Sequence, residues 1–253
     1  MTEFLLVLLA GVGAGALNAV GGGGTFVALP VLVAVGLPPV TANAVSRIAL
    51  LPGAVAGAWV YRRELVPVGP ASTRALTAVD VIGGGVGAGL LLTLPAASFD
   101  VAAPWLLAFA TLVLAFGRRL SRAVGRVVGR SVGMSARAVL VGQFLLAVYG
   151  GYFGGAVGIL MLALWSIGVG LDPAAGNPMR VTQLAAIYLS ASALFLVASD
   201  ALSAPLPLTA LLVGAVAGGL AGAHLARRLP SRPLRGILLA TAVITTVLYF
   251  LRG

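Results

Sequence analysis

The chain has 253 residues, 60% of them apolar and only 9% charged, with a formal net charge of +10. A soluble domain carries about 25% charged residues, so the composition excludes an ordinary soluble globule, and the apolar runs lack the period-two alternation of a membrane β-barrel. There is no cysteine and no lysine, which excludes disulfides, thiol catalysis, thiolate-bound metals, a Walker lysine and Schiff-base chemistry.

Ten apolar runs follow one another, at about 4–20, 25–36, 44–61, 75–94, 103–117, 138–153, 158–169, 180–199, 207–226 and 236–251. This is the pattern of an all-α polytopic membrane protein. The first run opens MTEFLLVLLAG without a basic n-region, so it does not read as a cleaved signal peptide. GVGAGA at 11–16 fits the loose GxGxxA dinucleotide pattern, but it lies in a membrane hairpin rather than a strand–turn–helix and is set aside. The first run then meets NAVGGGGTFVALP at 18–30. Each glycine costs roughly 1 kcal/mol of helix propensity against alanine, so Gly21 to Gly24 break the helix. The runs at 25–36 and 158–169 hold 12 residues each. At ~1.5 Å rise they reach ~18 Å, short of a ~30 Å hydrocarbon core. Each is therefore the short arm of a hairpin whose turn lies at membrane depth. Irregular backbone there is tolerated only where protein buries it or where it lines a wet cavity. The freed N–H groups and the positive end of the following helix suit an anion.

A shift of 134 positions exposes a duplication without gaps. Gly21 falls on Gly155, Gly24 on Gly158, Val35-Gly36-Leu37 on Val169-Gly170-Leu171, Asn43 on Asn177, Leu50 on Leu184, and Gly84-Gly85 on Gly218-Gly219. Two halves follow, 1–117 and 138–253, joined by a basic linker at 118–137; each is a Gly-broken helical hairpin plus three transmembrane helices. Arg62, Arg63, Arg74, six arginines from Arg118 to Arg137, and Arg227, Arg228, Arg232 and Arg235 sit between runs. The positive-inside rule accounts for them better than nucleic-acid binding does. It puts the linker in the cytoplasm and both termini outside, and it turns the halves upside down relative to each other: an inverted-topology repeat. Arg118, Arg122, Arg126 and Arg130 recur every four residues, as on an amphipathic helix lying on the anionic inner leaflet.

The paired motifs resemble a known family. GALNAVGGGGTFVALPVLVAVGLPPVTANAVSRIALLPGAVAGAWVYRREL is similar to the first block of the TauE/SafE sulfite and sulfonate exporters. YGGYFGGAVGILMLALWSIGVGLDPAAGNPMRVTQLAAIYLSASALF looks like the second. The resemblance covers nearly the whole chain. It implies export of sulfite, small organosulfonates, or other small sulfonic or carboxylic anions. The second block reads GGAVG where the family's pattern is a glycine-richer GAGGG-like turn, so Ala156-Val157 stiffens that turn.

The candidate substrate-binding residues cluster at the two breaks and at the helices that follow them. Asn18, Gly22, Gly23, Gly24 and Thr25 form the first break; Asn18 and Thr25 have helix capping as their alternative role. Ser46 and Arg47, in NAVSRIAL, offer a hydroxyl and a guanidinium fork for a sulfonate or carboxylate. The alternative for Arg47, placed near the outer end of its run, is an interfacial arginine snorkelling to headgroups. Tyr152, Gly155 and Gly158 form the second break, with Tyr149 beside it; aromatic packing is the alternative for both phenols. Arg180, Thr182 and Gln183, in NPMRVTQL, are the second-half counterparts; a one-residue slip would pair Arg180 with Arg47, and the alternative for Arg180 is another positive-inside arginine. Gln183 is a buried amide that needs a partner. Asn43 and Asn177 read as helix caps. Asp80 is a candidate coupling acid, with first-turn placement at the cytoplasmic helix end as the preferred alternative. His224 reads as interfacial. Gly85, Gly89, Gly214, Gly218 and Gly222 read as close helix-packing positions.

The reading is a secondary exporter of small oxyanions in the plasma membrane, working by alternating access at a midplane site. An importer on the same fold is the first alternative, and a membrane scaffold or assembly factor without transport is the second. Loss of function in Arg47→Ala separates transport from the scaffold. No nucleophile–base pair or metal cluster suggests an enzyme, and no cofactor, metal or nucleic-acid partner is expected. The expected partners are a small anion and the bilayer, with a homodimer left open.

Overall fold

The computed structural model describes residues 2–21, 23–128, 133–226 and 231–252. Its helices are α1 (Thr2–Gly21), α2 (Thr25–Ala34), α3 (Pro39–Tyr61), α4 (Thr73–Thr93), α5 (Ala96–Val128), α6 (Ala136–Tyr152), α7 (Val157–Val169), α8 (Asn177–Ala198), α9 (Pro205–Ala226) and α10 (Ser231–Arg252). Among the described residues there is no strand, and six helices are long and apolar enough to cross a membrane. The ten apolar runs correspond one to one with these helices. α2 and α7 are the short ones: at ~1.5 Å per residue they span roughly 15–20 Å and cannot cross alone.

Local chemistry sets the ends. Ser72 and Ser135 cap α4 and α6, accepting from the N–H groups of Ala75 at 3.2 Å and Ala138 at 3.3 Å. The duplicated Val-Gly-Leu stops the two short helices. Gly36 and Gly170 take positive φ of 97° and 72°. The N–H of Leu37 then bonds the carbonyl of Leu32, and that of Leu171 bonds the carbonyl of Trp165.

Two boundaries differ from the sequence expectation. α3 begins at Pro39, five residues before the apolar run, because proline suits the first helical turn, where its missing N–H costs nothing. Asn43 therefore lies inside α3 rather than capping it, and Asn177 is the first residue of α8 rather than its cap. α5 continues past the apolar run to Val128, so Arg118, Arg122 and Arg126 extend a membrane helix instead of starting a separate one. Residues 129–132, with Arg130, and Arg227 and Arg228 lie outside the described residues, as does Gly22.

The main helix pairings recur when each helix is exchanged with the one five places away. α1 packs on α9 as α6 packs on α4; α3 packs on α9 as α8 packs on α4; α5 packs on α7 as α10 packs on α2; and α3–α8 and α5–α10 pair with each other. The last two pairs fix the axis. Arg47 lies over the Tyr188 ring while Gly57 faces Val181, so α3 and α8 run antiparallel. Trp105 meets Phe250 while Thr111 reaches Ala242, so α5 and α10 do too. A two-fold axis along the helices would make equivalents parallel. This one is perpendicular to them, and the fold is an inverted repeat.

Glycine permits the closest pairings. A methyl group at Gly218 would strike the Val12 carbonyl, and one at Gly87 would strike the Val148 carbonyl. Gly85, two residues from Gly87 on α4, faces open space. Gly87→Ala should therefore destabilise by about 1–3 kcal/mol through overpacking. Gly85→Ala should gain about 0.5–1 kcal/mol of helix propensity. Thermal unfolding of the two variants in one detergent checks the opposite signs.

Candidate anion site

The two helix breaks meet at α3 and α8, the antiparallel pair on the pseudo-two-fold axis. At the first break Gly24 packs so tightly that a Cβ would lie 2.6 Å from the Ala14 carbonyl and 3.2 Å from the Asn18 Cβ. At the second break Gly154 has φ 74° and Ala156 has φ 55°, the one non-glycine residue with positive φ among those described. Such a conformation costs an alanine roughly 1–2 kcal/mol, and its place beside the site makes it a held feature of the turn. Tyr149 braces the turn by donating its hydroxyl to the Gly155 carbonyl at 2.8 Å.

Arg47 and Arg180 are both completely buried. Arg47 donates through Nη2 to the Phe153 carbonyl and lies over the Tyr188 ring, 5.0 Å from its centroid. Arg180 donates through Nη2 to the Ala19 carbonyl at 3.3 Å and through Nε to Asn177 Oδ1 at 2.9 Å. Residues 19 and 153 are separated by the repeat offset of 134. The arginines thus bind equivalent carbonyls at the two breaks, although they stand one residue out of register. Arg180 also lies against Gly158, where a Cβ would come within 2.8 Å of Nη1, so one guanidinium touches both breaks. Tyr188 completes the link: its hydroxyl donates to Asn18 Oδ1 at 3.3 Å, while its ring faces Arg47.

Neither arginine has a carboxylate partner among the described residues; their hydrogen bonds go to carbonyls and an amide. Nε and Nη1 of Arg47 and Nη1 of Arg180 have no hydrogen-bond partner at all. A buried guanidinium in this condition is a large uncompensated cost. An anion placed against these donors would relieve it. Each guanidinium is planar and keeps an unpartnered Nη1, and a guanidinium fork has the geometry that matches two oxygens of a sulfonate or carboxylate. A small cavity of about 10 Å³ beside α3 is lined by Asn18, Ala19, Gly53, Gly57, Tyr61 and Val181; neither arginine lines it.

The predicted residues sort as follows. Asn18, Gly23, Gly24, Thr25, Arg47, Gly155, Gly158 and Arg180 lie at or against the breaks. Burial rules out the interfacial readings of Arg47 and Arg180. α1 continues through Asn18 to Gly21, so Asn18 is no cap. Gly24 takes the cap position of α2 with no side-chain bond, leaving the buried Thr25 Oγ1 without a partner. Ser46 donates to the Asn43 carbonyl at 2.7 Å, and Thr182 donates to the Pro178 carbonyl at 3.1 Å. Both hydroxyl protons are thus spent on their own helix. Tyr152 packs edge-on against Phe99, with centroids 5.8 Å apart, and its carbonyl accepts from Asn43 Nδ2 at 2.7 Å. Gln183 is buried; its amide bonds only the Met179 sulfur, at 3.2 Å, and its carbonyl oxygen has no partner. Asp80 is buried a full two turns inside α4, so the first-turn reading does not hold.

Tyr188 and the carbonyls of Ala19 and Phe153 were not anticipated. Tyr188 reads as one more aromatic in an apolar helix. A signal was present: Arg180, Leu184 and Tyr188 are spaced by four and share a helix face.

A helical membrane protein of two inverted repeats, with unpaired cations buried where two helix breaks meet, has the architecture of a secondary transporter. The chain belongs to the TauE/SafE family: the family model described as Sulfite exporter TauE/SafE matches residues 7–249. That membership implies a membrane transporter of sulfur-containing anions. No curated protein gives a significant match to the chain.

Proposed function

We propose that the protein exports sulfite or small organosulfonates across the plasma membrane by alternating access, with Arg47 and Arg180 as the anion-binding residues. The observation that carries this reading is the pair of buried guanidiniums, one from each repeat, with three N–H-bearing nitrogens unpartnered and no carboxylate opposite among the described residues. Asn18, Thr25 and the backbone of the two breaks supply further polar contacts. Gln183 is held only by a thioether, so its amide is free to turn towards an oxyanion. The arginines that follow α3, Arg62 and Arg63, put that end of the helix at the cytoplasm. A negative-inside potential of 100 mV then favours expelling a monoanion by roughly 2.3 kcal/mol. The repeats rock against each other about the α3–α8 axis to expose the site on alternate sides.

A thermal-shift screen of the purified protein against sulfite, sulfoacetate, methanesulfonate, taurine and acetate tests the reading. A bound anion at 100 times its Kd stabilises by about 2.7 kcal/mol. A shift with the sulfur anions and none with equimolar chloride is expected. No shift with any of them, together with no flux in proteoliposomes, would remove the oxyanion reading.

A further inference from the structure

One buried ionisable group lies outside the anion site. Asp80 on α4 is fully buried. Both of its carboxylate oxygens accept from one amide, Gln143 Nε2 on α6, at 2.9 and 3.1 Å. Gln143 Oε1 accepts in turn from Trp165 Nε1 on α7 at 3.0 Å. An indole nitrogen can only donate, so this bond sets the amide's orientation and turns its NH2 to the carboxylate. Among the described residues no cation pairs with Asp80 from the helices packed on it. α6 presents Gln143 and α7 presents Trp165. On α8, Arg180 is turned to Ala19 and Asn177, and Tyr188 to Asn18. Arg74 on the same helix and Arg137 on α6 sit in the first turns of their helices, away from this depth. One neutral donor is poor compensation for a carboxylate buried within a membrane bundle. A metal ion is no better served, since no group of three or more His, Cys, Asp or Glu comes together among the described residues.

We propose that Asp80 is the proton-binding site that couples transport to a pH gradient, and that α7 links it to the anion site. This deepens the oxyanion-transport reading and rests on it. α7 holds Trp165 four residues from its end, and the Gly154–Ala156 turn leads into its start, with Gly154 directly against the Arg47 guanidinium. Loading or removing the proton changes how the carboxyl holds Gln143. That changes the hold of Gln143 on Trp165, and a 13-residue helix passes the change to the turn beside Arg47. The duplication is broken at this point. At the 134 offset Asp80, Gln143 and Trp165 correspond to Gly214, Leu9 and Val31. The anion determinant occurs in both halves and the proton site in one, giving one proton site per chain.

The test uses the full chain in proteoliposomes with radiolabelled methanesulfonate, which stays a monoanion across the working pH range. Two fluxes are compared: net flux under imposed pH gradients of either sign, and equilibrium exchange with no gradient. Wild-type methanesulfonate accumulation should differ by up to about 100-fold between opposite gradients of one pH unit, since each unit is worth about 1.4 kcal/mol and the two signs lie two units apart. Asp80→Asn should lose that response while exchange stays within about twofold of wild type, because exchange needs no proton release. Asp80→Glu should recover part of the response. Should Asp80→Asn fail to fold, Trp165→Phe frees the Gln143 amide and should shift the pH dependence of wild-type net flux. A gradient response intact in both variants would overturn the proposal, as would a wild-type flux that follows a sodium gradient and ignores pH. Failure of wild type both to bind and to move any sulfur anion would instead sink the underlying transport reading.

Discussion

Arg47→Ala should abolish sulfonate flux and leave the folded protein at least as stable as wild type. The two halves of this expectation come from one observation, a buried guanidinium whose Nε and Nη1 bond nothing. The substitution removes the bond to the Phe153 carbonyl, worth about 1–2 kcal/mol. It also removes the contact with the Tyr188 ring, about 1–2 kcal/mol when desolvated. Against this it relieves the burial of a charge, an effective penalty of several kcal/mol per ion. The melting temperature in detergent should therefore hold or rise. Function moves the other way. Truncating one side of a buried charge pair costs about 2–5 kcal/mol, and each 1.4 kcal/mol is tenfold in affinity, so sulfonate affinity should fall by roughly 30-fold or more. Arg47→Lys keeps the charge but loses the planar fork, and should retain measurable flux well below wild type. A folded Arg47→Ala protein with unimpaired flux would remove the arginine from the mechanism and favour a scaffold over a transporter. A protein that gains stability and loses flux would identify the unpaired cation as a cost kept for its ligand.

Most of the architecture was legible because two simple signals were strong. Apolar runs report membrane depth, and all ten corresponded to helices. The 134 offset reported the duplication, and the antiparallel α3–α8 and α5–α10 pairs agree with it. Hydropathy failed at helix ends because it senses lipid rather than hydrogen bonding. α3 starts in the Pro38-Pro39 pair, which reads as a loop. α5 carries its arginines on the same continuous helix that crosses the bilayer.

The site was legible in residue type more than in geometry. Arg47 and Arg180 stood out because charge inside an apolar run is costly. Their burial, and the match between their carbonyl partners at residues 19 and 153, depend on side chains of different reach correcting a one-residue slip. Sequence spacing cannot show that. Asp80, Gln143 and Trp165 come from three helices and have no counterparts in the other half, so the repeat pointed away from them. Ser46 and Thr182 bond their own helix for a local reason: a hydroxyl in a helix bonds a carbonyl three or four residues back.

Gly154→Ala should separate the turn from the cation it supports. With φ 74°, an alanine there pays about 1–2 kcal/mol for the left-handed conformation. Its methyl group would also occupy the position of the Arg47 guanidinium. The guanidinium cannot stay, so it must give up the Phe153 carbonyl and swing out of the site. With about 1–3 kcal/mol for overpacking added to the backbone cost, stability should fall by about 2–5 kcal/mol, and the sulfonate-induced thermal shift should disappear even though Arg47 is still present. Ala156→Gly is the companion variant. It relieves a φ of 55° at a comparable entropic cost in the unfolded chain, so stability should change little and the thermal shift should persist. If both variants keep the shift, Arg47 does not bind the anion from its observed position; if both lose it, the turn as a whole, rather than the space it leaves for the guanidinium, sets binding.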